Sequence, residues 1–106
     1  MKSQPLRAVV FPEDGAWVAQ CVDLDVAAYG RTADAAAENL RDSLSAAAAL
    51  DKKEGRAPFD GLDPAPEMFR ARFEQLQWRR EFDAPTTVGT TPAWMLVALE
   101  AERLSR

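Results

Sequence analysis

Glu13-Asp14-Gly15 stands between two short apolar runs, and it constrains the fold more than any other feature of the chain. An Asp-Gly pair between strand formers is hairpin chemistry, because Gly accepts positive φ and Asp bonds back to its own backbone. Residues 6–12 form the first strand, with Val9, Val10 and Phe11 as strand formers and Pro12 ending the ladder. Residues 16–22 form the second, with Trp17, Ala19 and Cys21 on one face and Val18, Gln20 and Val22 on the other. After a short Asp23-Leu24-Asp25 connection, residues 26–30 read as a third strand.

The hydrophobic period then changes from two to about 3.6. Thr32 is a good N-cap, and Asp34 sits where the helix dipole favours an acid. The spacing of Ala33, Ala37, Leu40, Leu44 and Ala47 predicts a helix over residues 33–50, with Asp34, Glu38, Arg41, Asp42 and Ser45 on its other face. Lys52, Lys53 and Gly55 suit its end. Residues 55–66 hold three prolines and two glycines and form a loop, which Phe59 and Leu62 are expected to pin to the core.

Residues 67–78 read as a helix after Pro66, through Phe69, Phe73 and Leu76; a fourth strand within residues 68–82 is the alternative. Thr91 and Pro92 open a further expected helix that runs to about Leu104. Its stripe is Trp94, Val97, Ala98, Ala101 and Leu104, and Met95, Leu96 and Leu99 widen it. So broad an apolar face asks for burial on more than one side, so these stripe residues are expected to form an oligomer contact in a dimer or tetramer.

The fold class expected is α+β: a three- to four-stranded antiparallel β-meander packed on one long helix, with one or two C-terminal helices. It is read as a single domain. Residues 1–54 make a β-β-β-α core, 55–66 a Pro/Gly loop and 67–106 a helical extension.

The chemistry available is narrow. The chain has no histidine, which removes His-dependent triads and His-ligated metals. Cys21 is its only cysteine, so neither an internal disulfide nor a Cys-based zinc site can form. Cys21 reads as a small buried hydrophobe on the Trp17 face. Net charge is −4, with no basic half, so the field that nucleic-acid binding needs is missing. No apolar run approaches the roughly 20 residues that cross a bilayer. Residues 1–5 show neither an apolar stretch nor a cleavage site, so the expected location is the cytoplasm.

Two constellations compete with these plain readings. Asp23 and Asp25, with Glu13, Asp14 and Asp34, offer carboxylates for a nuclease-like divalent metal site. As turn residues and a helix-terminal charge they are already accounted for. Arg70, Arg72, Arg79 and Arg80 interleave with Phe69, Phe73 and Trp78, a pattern that suits single-stranded nucleic acid. Glu67, Glu74, Glu81 and Asp83 lie among them and cancel much of the field. The expectation is no catalytic residue, no cofactor and no metal. Tyr29 and Arg31, at the end of the third strand, and Gln20 on the second are the candidate partner-binding residues.

Residues 6–50 carry one further signal. Val9-Val10-Phe11-Pro12-Glu13-Asp14-Gly15, Trp17-Val18-Ala19-Gln20-Cys21, Leu24-Asp25-Val26-Ala27, Gly30-Arg31-Thr32 and Ala35-Ala36-Ala37-Glu38-Asn39-Leu40 together resemble the HicB-like antitoxin family. The resemblance implies a truncated ribonuclease H-like fold without a working nuclease site. It also implies a non-catalytic domain that binds and neutralises a small mRNA-cleaving toxin of the HicA type, or an orphan relative of such a domain. Many members add a C-terminal DNA-binding module. Here residues 67–106 are not basic, and the gap at residues 80–91 is long for a helix-turn-helix, so operator binding is not expected.

Overall fold

The structure is a computed structural model that describes residues 6–76, 79–82 and 95–99. The chain order is β1 (Leu6–Glu13), β2 (Ala16–Cys21), β3 (Ala27–Gly30), α1 (Ala33–Lys53), α2 (Glu67–Gln75), β4 (Arg79–Phe82) and β5 (Met95–Leu99). The fold is α+β. Its five strands form one mixed sheet in the order β3-β2-β1-β5-β4.

The first hairpin closes as its turn residues require. Glu13 pairs with Ala16 across a two-residue loop, with Asp14 at φ 51° and Gly15 at φ 81°. Positive φ at both central positions matches the right-handed twist of the flanking strands.

Each face of the sheet has its own core, set by strand alternation. Ala8 and Val10 of β1, with Ala19 and Cys21 of β2, meet Ala36, Ala37, Leu40 and Leu44 of α1. Val9 of β1 and Val22 instead meet Phe73 of α2, with Phe11, Phe69 and Leu76 packed around them. The sheet therefore lies between two helices. Both ends of α1 are satisfied. Thr32 Oγ1 accepts the Ala35 amide at 3.0 Å, and Lys52 and Lys53 stand in the last turn.

The sheet differs from the expected meander in one decisive respect. Met95–Leu99 form a strand, not a helix, and β5 pairs parallel with β1 from Leu6↔Met95 to Val10↔Leu99. On its other side it pairs antiparallel with β4. A central strand covered on both faces is apolar at every position, and over so short a run that pattern matches a buried helix. The Met, Leu and Ala of this run favour a helix locally, and the sheet overrides that preference. Val97 and Ala98 are fully buried inside their own chain, which removes them from any oligomer contact. Trp94, Ala101 and Leu104 lie outside the described residues, as do Thr91 and Pro92. With β5 beside β1, residues 6–54 hold only part of the sheet, and the later residues complete it.

Helix α2 is where the spacing of Phe69, Phe73 and Leu76 puts it, and β4 falls within the 68–82 window of the alternative reading.

The loop after α1 is held by Asp51, a buried acid in the last turn of an otherwise exposed helix end. Its carboxylate accepts Arg56 Nη2 and the Phe59 amide, both at 2.8 Å. Phe59 stands at φ 65°, a costly value for a bulky residue, while its ring packs on the α1-side core. Leu62 does not share this role and is exposed.

The Arg56 hydrogen bond, then the Phe59 amide, holds the Asp51 carboxyl below the usual carboxylate range. A depressed carboxyl stabilises the fold above its unfolded pKa of about 3.9, and that contribution is lost as pH falls through the lower folded value. Acid is therefore expected to release this loop. Exchange at the Phe59 amide, relative to its intrinsic rate at each pH, should quicken below about pH 4. Asp51→Asn should quicken it at neutral pH and flatten the acid dependence.

Candidate partner-binding edge

Strand β3 is one edge of the sheet, and the residues around it decide what that edge offers. The β2–β3 connection is tied from inside. Cys21 N donates to the Val26 carbonyl at 2.9 Å, and Val26 N donates to the Leu24 carbonyl. Gln20 is buried, and its Nε2 donates to the Cys21 carbonyl at 3.0 Å and the Val26 carbonyl at 3.4 Å. The same Nε2 reaches Asp25 Oδ1 at 3.5 Å, so this buried amide, expected at a partner surface, instead holds the turn together. Its role is hidden in the sequence because a polar residue in mid-strand reads as solvent-facing. Val9, the cross-strand partner of Gln20 on the same face, packs with Val22 on Phe73 of α2, which arrives much later in the chain.

Tyr29 and Arg31 stand on the surface, with Tyr29 65% exposed. The Tyr29 carbonyl accepts Asn39 Nδ2 at 2.7 Å, which links the strand to α1. Gly30 explains how the strand turns so sharply into that helix. A Cβ built on it would lie 2.5 Å from the Ala36 nitrogen and 2.8 Å from the Ala35 carbonyl carbon. Gly30-Arg31-Thr32 thus combines a position open only to Gly with a helix N-cap.

The carboxylates of the metal reading do not converge. Asp23 Oδ1 accepts Arg7 Nη2 at 2.6 Å, and Asp23 Oδ2 accepts the Arg7 amide at 2.9 Å. This bidentate pair ties the start of β1 to the end of β2. Among the described residues no group of three acidic or thiol side chains could hold a metal ion. Burial pushes the Cys21 thiol up from its ordinary value, which keeps it protonated and a poor nucleophile.

Arg70, Arg72, Phe69 and Phe73 of the nucleic-acid reading are spent on the fold. Arg70 pairs with Glu67 at 2.7 Å, and Arg72 lies over the Phe11 ring at 4.4 Å. Phe69 stacks on Phe11 and Phe73 is buried under α2. Trp78 lies outside the described residues. A cleft of about 210 Å³ lies between Arg7, Val22, Asp23, Pro64, Glu67 and Arg70. Its charged groups are already paired with one another, Arg7 with Asp23 and Arg70 with Glu67. Among the described residues no helix is long and apolar enough to cross a membrane.

Comparison with protein-family models, curated proteins and solved structures returns no match.

Proposed function

We propose that the chain is a non-catalytic protein-binding module of the HicB-like kind, with a truncated ribonuclease H-like layout. It acts in the cytoplasm as the antitoxin to a small mRNA-cleaving toxin of the HicA type, or descends from one as an orphan. The observation that carries this reading is the β3 edge. It lies within the stretch that bears the resemblance, and it presents Tyr29 and Arg31 along a strand that, among the described residues, is paired on one side only. Tyr and Arg are among the side chains most enriched at binding hot spots. The β1–β2–β3 meander carried on α1 supports the layout.

Co-expression with the product of an adjacent gene tests the proposal. A small basic protein is expected to co-purify with the chain at a fixed ratio. Tyr29→Ala should weaken the complex by roughly tenfold to a hundredfold, the range of a hot-spot truncation. If no adjacent gene encodes such a protein, or if the two do not co-purify, the proposal fails.

A further inference from the structure

We infer that residues 54–63 form one strap, latched at both ends, that opens as a unit about Phe59. One end is the Asp51 clasp, whose carboxylate accepts Arg56 Nη2 and the Phe59 amide. The other end lies at the foot of β3, where the Asp63 carbonyl accepts the Asp25 amide at 2.8 Å. The chain between them has little slack. The Asp60 amide donates to the Ala57 carbonyl and the Leu62 amide to the Phe59 carbonyl, both at 3.1 Å, so Phe59 belongs to two consecutive turns. Pro58 and Pro64 each fix one further backbone angle.

Phe59 couples the two ends. Its φ of 65° is a strained value for a phenylalanine and persists only while the surroundings impose it. Two contacts impose it, the amide bond to Asp51 and the packing of the ring on the α1-side core. Once Asp51 lets the amide go, the residue relaxes to negative φ. A rotation of about 120° at that one bond re-aims the chain that follows. Asp63 then cannot keep its carbonyl on the Asp25 amide. The opening stops at Asp25. The Val26 amide keeps the Leu24 carbonyl and the Cys21 amide keeps the Val26 carbonyl, and neither bond involves the strap. The lifted ring uncovers part of the α1-side core, on which Leu24 and Val26 of the β2–β3 connection also pack. The state of the clasp at the end of α1 is thereby felt at the foot of β3. The inference rests on the two latches and the Phe59 backbone, and not on the antitoxin reading.

Native-state hydrogen exchange on the full chain tests it, with each rate taken relative to its intrinsic value. In the wild-type chain the Phe59 and Asp25 amides should share one protection factor. It should lie below that of Ala19, which sits in mid-sheet between β1 and β3. Asp51→Asn should lower protection at both amides by the same factor, roughly tenfold, the size of losing a hydrogen bond to a charged group. The Val26 amide should keep its rate. Arg56→Ala leaves the carboxylate in place and removes a half-exposed partner, so it should lower both by a smaller common factor of about two to five. An Asp25 amide that keeps its protection in either variant while Phe59 quickens overturns the inference. So does an Asp25 amide that exchanges with Ala19 and not with Phe59, or a loss at Val26 equal to the loss at Asp25.

Discussion

Val97→Asp is expected to abolish the cooperative unfolding transition of the chain. Val97 is fully buried on the α1 side of the sheet, in one core with Leu40, Leu44 and Met95. Its strand has β1 on one side and β4 on the other. A carboxylate there is withdrawn from water among apolar side chains, and burying a charge costs several kcal/mol even after it takes up a proton. A domain of this size holds only about 5–15 kcal/mol in all. Far-UV circular dichroism during a thermal scan gives the answer. If residues 95–99 instead formed a helix that docks on another subunit, the variant would keep its transition and change only its oligomeric state.

The second large effect is expected at the entry to α1. Gly30→Ala places a methyl group 2.5 Å from the Ala36 nitrogen and 2.9 Å from the Ala35 Cβ. Two of the three nearest atoms belong to the backbone, so the first turn of the helix must move away from the strand. Overpacking of this kind costs about 1–3 kcal/mol. For a chain of this length that lowers Tm by roughly 5–20 °C. Gly61→Ala is the control, because nothing lies within 4 Å of its added methyl. It should move Tm by no more than about 2 °C. Equal losses at the two positions would show that the contact with α1 does not decide the effect at Gly30.

These two positions mark what the sequence discloses and what it hides. The first hairpin was legible because Asp14-Gly15 fixes a turn locally. The start of α1 was legible because Thr32 caps it and Leu40 and Leu44 repeat at helical spacing. Signals of that kind need only neighbouring residues. β5 was not legible, since its character comes from lying between β1 and β4, and Met95-Leu96-Val97-Ala98-Leu99 has no period of its own to report. The burial of Gln20 was not legible for a related reason, since Val9, opposite it on the same face, packs on Phe73 far along the chain. Asp51 was missed although Arg56 follows it closely. An acid at a helix end normally reads as a solvated charge, and only the returning Phe59 amide makes it a clasp. In the candidate edge, the sequence placed Tyr29 and Arg31 at a strand end; which side of that strand is open follows only from the ladder.

The resemblance and the open β3 edge meet in one claim, that this chain works by covering a partner and not by turning over a substrate. Titration of the purified chain into the purified adjacent-gene toxin, with cleavage of a model mRNA followed over time, measures that claim most directly. The account predicts that cleavage falls in proportion to added chain and stops near equimolar ratio, while Arg31→Glu or Tyr29→Ala shifts the end point to excess. Cleavage that continues unchanged in the presence of excess chain would contradict it.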